Sequence, residues 1–343
     1  MRWMRRLPRA AGSRRICRGR ISFTATWYNQ AGALVHVYKD GSIHLNHGGT
    51  EMGQGLNTKV AQVVADAFQV DIERIRITRT TTEKVPNTSA TAASSGSDLN
   101  GMAALDGAEQ IKARLVGFAA ESRGVDPAEV RFAPNEVWIG GAAVPFDRLV
   151  HEAYMARVHP SAAGFYRTPD IHWDRAAGKG RPFYYFAYGA SCSEVSVDTL
   201  TGEYRIERVD ILHDAGRSLN PALDLGQVEG GFVQGMGWLT TEELWWDDLG
   251  RLRTHAPSTY KIPLASDIPR VLNLRLADWS ENREMTIKQS KAVGEPPFML
   301  AISVLEAISM AVASVAEYRD CPRLDAPATS ERVLMAVELL RGG

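Results

Sequence analysis

His47-Gly48-Gly49-Thr50-Glu51-Met52-Gly53-Gln54-Gly55 is the stretch on which the fold turns. After it, Leu56, Val60, Val63, Val64, Ala67 and Phe68 recur at helical spacing. Before it, residues 33–38 and 42–45 alternate apolar and polar around the turn Lys39-Asp40-Gly41, which predicts a hairpin. The chain therefore passes from a strand through a glycine-rich loop into a helix. Glycines let a backbone approach a ligand closely, and free N–H groups at a helix start favour anions. The spacing matches neither the dinucleotide fingerprint nor a P-loop. A bare glycine-rich turn is the simpler alternative. Gln54 argues against it, because an amide between two glycines can both donate and accept.

Downstream, residues 70–80 predict a short strand. Residues 88–101 follow as a loop of small hydroxyl residues and glycine, with a helix expected from about Leu99 through Met102, Leu105, Ile111, Leu115 and Phe118. Such a loop either presses backbone and hydroxyl donors against a phosphate or oxo group, or serves as a flexible linker. Residues 124–160 predict short strands around Gly140-Gly141 and a short helix near 146–155. Residues 160–182 look loop-like. Residues 182–190, rich in aromatics, predict a strand, and residues 193–212 a hairpin. His36, His44 and His47 lack metal-ligand spacing and are read as structural or exposed.

Residues 220–237 have helical spacing yet five glycines. Each glycine costs up to about 1 kcal/mol relative to alanine in a helix. Two explanations stand: tight packing against another element, or the wall of a cofactor pocket with Gln227 as donor. Residues 238–254 suggest strand–turn–strand, residues 271–276 a strand, and Ser330 the cap of a final helix. Elements alternate irregularly without a clean βαβ repeat, so the expected class is α+β, with mixed sheets and covering helices. The expected division is a basic start at 1–20, a first subdomain at 21–165 and a second at 166–343.

Composition narrows the function. The chain has 343 residues, 45% hydrophobic and 23% charged, as in soluble globular proteins. Residues 1–20 carry eight arginines and no acid; the remainder has 31 basic and 40 acidic residues, a net charge of −9. An acidic body argues against a nucleic-acid face. The basic start is read as a non-native or disordered segment, rather than as an export signal or a nucleic-acid arm. Cys17, Cys192 and Cys321 are too few and too scattered to hold an iron–sulfur cluster, and they suit a reducing compartment. No apolar run is expected to approach a membrane span of about 18 residues.

Lys291-Ala292-Val293-Gly294-Glu295-Pro296-Pro297 carries the clearest catalytic candidate. Proline suits the first turn of a helix, and the residue before it is pushed out of the helical region. Glu295 is thus expected at a loop-to-helix junction among apolar neighbours. Burial there raises a carboxylate pKa and a helix N-terminus lowers it, and both directions stay open. Glu295 is either a helix cap or a rigidly held general base.

These segments together resemble the molybdenum-binding part of the xanthine dehydrogenase and aldehyde oxidase family. The resemblance rests on Gly48–Gly55, on Val85-Pro86-Asn87-Thr88-Ser89-Ala90-Thr91-Ala92-Ala93-Ser94, on Gly226-Gln227-Val228-Glu229-Gly230 and on Lys291–Pro297, in that order. It runs from about Ile21 to the C-terminus, and the xanthine dehydrogenase branch fits best. It implies a molybdopterin-binding fold and a molybdenum cofactor held through its pterin, so protein metal ligands are not expected. It implies Glu295 as catalytic base. Met52, Gly53, Gln54, Ala93, Ser94, Ser95 and Gln227 would contact the cofactor, with Gln54 near the molybdenum oxo group but not a ligand. Phe23, Thr24 and Ala92 would meet the substrate.

The implied function is a cytoplasmic oxidoreductase subunit that hydroxylates purines, hypoxanthine to xanthine to urate, with water as the oxygen source. Iron–sulfur clusters and FAD are expected on a partner chain, in a hetero-oligomer without membrane or nucleic-acid contact. The family's molybdenum subunit is about twice this length, so an N-terminal half is expected as a further partner. A truncated remnant that holds no molybdenum, and an aldehyde oxidoreductase of the same family, are the alternatives.

Overall fold

The computed structural model describes residues 26–85 and 87–342. Residues 1–20, Phe23, Thr24 and Pro86 lie outside the described residues. The chain forms two compact units. One comprises residues 26–185 with a returning segment at 282–292; the other comprises residues 186–281 and 293–342.

The first unit contains, in order, β1 (Gln30–Val37), β2 (Ile43–His47), α1 (Leu56–Phe68), β3 (Ile75–Ile77), α2 (Gly96–Arg123), β4 (Val130–Ala133), β5 (Glu136–Ile139), β6 (Ala142–Pro145), α3 (Phe146–Met155), β7 (Ser161–Arg167), β8 (His172–Asp174) and β9 (Lys179–Arg181). Its main sheet has the order β3-β2-β1-β7, with β2 and β3 parallel and the other pairs antiparallel. Val35, Leu45, Phe68, Ile111, Leu115 and Phe146 fill the core between this sheet and the helices.

Two expectations need correcting. Residues 160–182 are not loop-like, because β7 pairs along the whole of β1 and β8 pairs with β9. The signal in β7 is weak because α2 crosses it at Gly164. A Cβ at Gly164 would collide with the Ala103 carbonyl and lie within 3.0 Å of Gly107 Cα. Close approach there requires small residues, and those break the alternation. Second, α2 begins at Gly96, earlier than expected, with Ser95 at its N-cap.

The second unit contains β10 (Gly189–Val197), β11 (Tyr204–His213), α4 (Pro221–Thr240), β12 (Val271–Leu276), α5 (Ile302–Ala313) and α6 (Ser330–Gly342). β10 and β11 are antiparallel, β11 and β12 parallel. Phe232, Met236, Leu300, Val304, Ile308 and Val312 build its core. The expected strand at 182–190 exists only from Gly189, where β10 starts: Tyr184 and Tyr185, at the end of the first unit's long segment, are buried individually as anchors of an irregular stretch. The expected strand–turn–strand at 238–254 reduces to a single bridge between Trp246 and Leu252, because α4 runs on to Thr240.

The expectation that no apolar run approaches spanning length does not hold by composition alone. Pro296–Ala316 is a 21-residue helical run with mean hydropathy 2.1, long and apolar enough by composition to span a bilayer. Glu306 interrupts it, and Leu300, Ala301, Val304, Ile308 and Val312 of the run are buried in the unit's core. A core helix satisfies the same criterion. The class is α+β with mixed sheets and covering helices.

Candidate functional site

The loop between β2 and α1 is closed by its own carboxylate. Glu51 Oε1 accepts the N–H groups of Gly53 (2.9 Å) and Gly55 (3.0 Å), and Oε2 accepts that of Asn57 (2.9 Å). Burial alone raises the Glu51 pKa; the surrounding N–H donors outweigh it and hold the group below the usual glutamate range. The anion drawn to this helix start is therefore internal. Gln54 is engaged in the same loop, its Oε1 accepting from Met52 N–H at 2.6 Å and its Nε2 donating to the Thr50 carbonyl at 2.8 Å. Gly53 (φ 102°) and Gly55 (φ 75°) supply the left-handed backbone that this folding-back requires. Met52 and Gly53 face solvent.

The loop before α2 is built differently. Ala93 (φ 55°) and Ser94 (φ 54°) are consecutive non-glycine residues in the left-handed region. Such conformations cost roughly 1–3 kcal/mol each and cluster at ligand sites. Ser95 follows in the right-handed region, an alternation of the kind that turns successive N–H groups into an anion-binding concavity. Ser95 is buried, and its Oγ donates to the Ala92 carbonyl at 3.0 Å. The two loops are tied together: Thr50 N–H donates to Thr91 Oγ1 at 2.9 Å. Thr88 covers Gly48, and Leu56 and Asn100 press on Gly49, so a side chain at either glycine would collide. His47, at the end of β2, accepts the Gly49 N–H at 3.2 Å. Burial lowers its pKa to about 4, so the ring is neutral at neutral pH.

Beneath these loops lies a buried polar chain that sequence reading did not single out. Asp98, in the first turn of α2, is 6% exposed. Its Oδ2 accepts the Tyr185 hydroxyl at 2.7 Å, and that hydroxyl accepts the Ala292 N–H at 2.8 Å. Burial raises the Asp98 pKa to about 7, despite the Tyr185 hydrogen bond and the nearby charge of buried Lys59. Burial and the Asp98 carboxylate push the Tyr185 phenol well above its ordinary value. The only clue in sequence is an aspartate at a helix start, and that reads as a cap.

In the second unit, Glu295 is exposed and stands at the N-cap of a short 3-10 turn, Pro296–Ala301. Contrary to the pre-proline expectation, its backbone is helical (φ −92°, ψ −31°), because its carbonyl closes the turn by accepting Phe298 N–H at 3.0 Å. The turn is rigidly backed. Pro296 and Pro297 are buried, Ser191 and Ser303 donate to the Leu300 carbonyl, and the Trp238 and Phe298 rings meet at 4.8 Å.

α4 lies against this turn through two of its glycines. A Cβ at Gly231 would reach Pro297 Cβ at 3.0 Å and the Gly294 carbonyl at 3.1 Å, and one at Gly235 would overlap the Phe298 carbonyl at 2.5 Å. Gly226 and Gly230 have no described atom within 4 Å of a Cβ. The two explanations for the five glycines thus divide the helix: packing accounts for Gly231, Gly235 and Gly237, the last closed in by Glu242 and Pro263, and leaves Gly226 and Gly230, beside half-buried Gln227, unexplained.

Met52, Gly53, Gln54 and Ala92–Ser95 accordingly belong to one unit, and Gln227 and Glu295 to the other. No cluster of three His, Cys, Asp or Glu side chains suited to a metal exists among the described residues. In the first unit, the left-handed pair at Ala93-Ser94 gives the loop before α2 a backbone suited to an anion. In the second, Gly226 and Gly230 leave the helix surface beside Gln227 bare.

Residues 9–269 match the model of the molybdopterin cofactor-binding domain. The chain is 48% identical over 326 residues to xanthine dehydrogenase of Oryza sativa subsp. japonica, covering 92% of this chain and 22% of that protein. It is 46% identical over 319 residues to xanthine dehydrogenase/oxidase of Mus musculus, covering 91% and 22%. It thus spans about a fifth of the length of the curated relatives it matches. Among solved structures it resembles quinoline 2-oxidoreductase from Pseudomonas putida 86, with TM-score 0.77, 22% identity and coverage of 90% and 38%. It also resembles an aldehyde oxidoreductase from Desulfovibrio desulfuricans, with TM-score 0.71, 21% identity and coverage of 93% and 31%. At these identities the structural matches speak for the fold alone.

Proposed function

The chain belongs to the molybdopterin cofactor-binding domain family, and on that premise we propose that it is the C-terminal part of the molybdenum centre of a purine hydroxylase. The substrate is a purine such as hypoxanthine or xanthine, and the enzyme is cytoplasmic. The observation that carries this reading is identity of 46–48% to xanthine dehydrogenases over nine-tenths of the chain, with Glu295 and the glycine-rich loops in their expected order. Residues outside this chain supply the rest of the substrate pocket. Iron–sulfur and flavin groups on a partner region carry electrons away.

Within this reading, the Ala92–Ser95 loop and Gln227 bind the pterin side of the cofactor, and Met52, Gly53 and Gln54 line the metal side. The left-handed backbone at Ala93 and Ser94 is the cost of aiming donors at an anion. Phe23 and Thr24 hold the plane of the purine with Ala92. When bound, the cofactor supplies a Lewis acid and a two-electron sink. Glu295 accepts at its carboxylate the proton of the attacking, water-derived oxygen. A turn backed by two buried prolines fixes the direction from which it does so.

The test is Glu295→Gln in the complete enzyme, with molybdenum content measured beside turnover of hypoxanthine and of an aromatic aldehyde. The reading expects full molybdenum, loss of at least a hundred-fold in kcat, and wild-type preference for the purine. Retained purine turnover in that variant would remove Glu295 from the mechanism. Preference of the wild type for the aldehyde would reassign the substrate.

A further inference from the structure

We propose that His36 and His44 form a two-imidazole site for a divalent transition cation such as Zn²⁺ or Cu²⁺. Both belong to the first unit. Their spacing in sequence carries no metal motif, but the register of the main sheet sets them directly opposite each other, His36 on β1 and His44 on β2. Residues so opposed have Cβ atoms about 4.5–5.5 Å apart. Val35, Val37, Ile43 and Leu45 take the core side of the two strands, so the half-buried His36 and His44 rings share the other face. The ring centroids are 6.1 Å apart, with 29° between the planes. Two imidazoles that share one cation, at about 2.0–2.1 Å per nitrogen, have centroids roughly 5–6 Å apart. Turning about χ2, a soft torsion in histidine, brings the pair into that range.

Each ring is held by one nitrogen and offers the other. His36 Nδ1 meets Ser161 Oγ at 2.7 Å, and Ser161 is its cross-strand neighbour on β7. His44 Nε2 lies 3.3 Å from Thr78 Oγ1 and 3.5 Å from Asn46 Nδ2, and Thr78 Oγ1 donates to Asn46 Oδ1 at 2.7 Å. Because the Thr78 proton goes to Asn46, the Thr78 oxygen is left to accept from His44 Nε2–H. That tautomer frees the lone pair of His44 Nδ1. A proton on His36 Nδ1, donated to Ser161, frees the lone pair of His36 Nε2. Neither of these two nitrogens has a hydrogen-bond partner among the described residues. Metal-bound histidines donate their second N–H in this way, which fixes both ring and tautomer.

The donor set selects the cation. Imidazole suits zinc, copper and nickel, whereas calcium and magnesium need oxygen donors. The row across the sheet reads Ser161, His36, His44 and Arg76, without a carboxylate. The Arg76 charge opposite His44 disfavours any cation held by charge alone. His159, just before β7, is near enough to lower the His36 pKa, after burial and His44. No three such side chains are placed to share a metal among the described residues, so the site has two protein donors and leaves the other positions to water. The chelate ties β1 to β2, the strand that leads into the Gly48–Gly55 loop. Binding to the folded form alone stabilises it.

The experiment titrates zinc chloride into the full chain by calorimetry, after loosely held metal has been removed with a chelator, with magnesium chloride as the control. One saturable Zn²⁺ site per chain is expected, and no saturable Mg²⁺ site. His36→Ala and His44→Ala should each weaken Zn²⁺ binding ten-fold or more. His159→Ala, and His172→Ala and Cys321→Ser at exposed donors elsewhere, should stay within two-fold. A second measurement needs no variant: saturating Zn²⁺ should protect His36 and His44 of the wild type from diethyl pyrocarbonate, mapped by peptide mass spectrometry. If the histidine variants fail to fold, this protection decides alone. The absence of a saturable site overturns the proposal. So does a site that keeps its affinity in both histidine variants, or wild-type protection that leaves His36 and His44 reactive. A ten-fold loss in His159→Ala overturns the two-donor site in the same way.

Discussion

Glu51 caps the helix that starts five residues after it: its Oε2 accepts the Asn57 N–H at 2.9 Å. One carboxylate thus satisfies two N–H groups that the start of α1 would otherwise leave open, those of Gly55 and Asn57, and also the loop N–H of Gly53. Glu51→Ala should destabilise the protein by about 1–2 kcal/mol at neutral pH, the upper range for lost caps. Because the folded-state pKa is lowered, this contribution is complete above the ordinary glutamate pKa. It is lost as pH falls through the lower folded value. Denaturant titrations of wild type and Glu51→Ala should converge in strong acid. A constant difference at all pH values would mean that the carboxylate charge is not responsible.

Asp98 and His47 oppose each other across acid pH. Asp98 has a pKa raised to about 7 by burial. Over the interval from its ordinary value to about 7 the folded state holds the extra proton, so stability falls as pH rises. His47 is lowered to about 4; between about 4 and its ordinary 6.5 the unfolded state holds the extra proton, so stability rises with pH. Each slope is at most about 1.4 kcal/mol per pH unit. Their sum should leave wild-type stability nearly flat between pH 4.5 and 6.5. Asp98→Asn removes one slope, so that variant should become more stable as pH rises through this window and exceed wild type at pH 8. Melting temperatures across pH check this, and an unchanged profile in the variant would show that Asp98 is ionised throughout.

The contact of α2 with β7 is a backbone contact. Gly164→Ala would drive its Cβ into the Ala103 carbonyl and the Gly107 backbone, neither of which can rotate away. The loss should be about 3 kcal/mol, at the upper end for overpacking. Gly117→Ala on the same helix has no described atom in its way and should stabilise by about 0.5–1 kcal/mol through helix propensity. Equal effects in the two variants would mean that β7 and α2 are further apart than this geometry requires.

What was legible in sequence follows from these contacts. The β1–β2 hairpin, α1, α3, the β10–β11 hairpin and β12 declare themselves through apolar residues at regular helical or strand spacing, bounded by turn residues such as Lys39-Asp40-Gly41 and Thr201-Gly202. β7 does not, since a crossing helix selects for Ser161, Ala162, Ala163 and Gly164 over an alternating pattern. Glu295 was visible because Gly294 and two prolines bracket it. Tyr185 was not, because it lies in an aromatic run, 183–186, that reads as strand. Its partners Asp98 and Ala292 are 87 and 107 residues away, a separation that periodicity does not span. Glu51 was in view, but its role depends on the loop folding back through Gly53 and Gly55.

The glycines of α4 allow the two explanations for that helix to be separated by experiment. Gly235→Ala would set a Cβ 2.5 Å from the Phe298 carbonyl, displacing the turn that carries Glu295. It should lose about 1–3 kcal/mol and reduce kcat together with stability. Gly226 and Gly230 meet nothing within 4 Å among the described residues. If they were neutral helix positions, alanine would simply add about 0.5–1 kcal/mol each. As a surface kept bare beside Gln227 for a cofactor, they should behave oppositely in the two states. Cofactor-free Gly226→Ala and Gly230→Ala proteins should melt higher than wild type, while their molybdenum content after expression in a cofactor-producing host should fall several-fold. Raised melting temperature with undiminished molybdenum would assign all of these glycines to packing and propensity, and would take Gln227 out of the pocket wall as well.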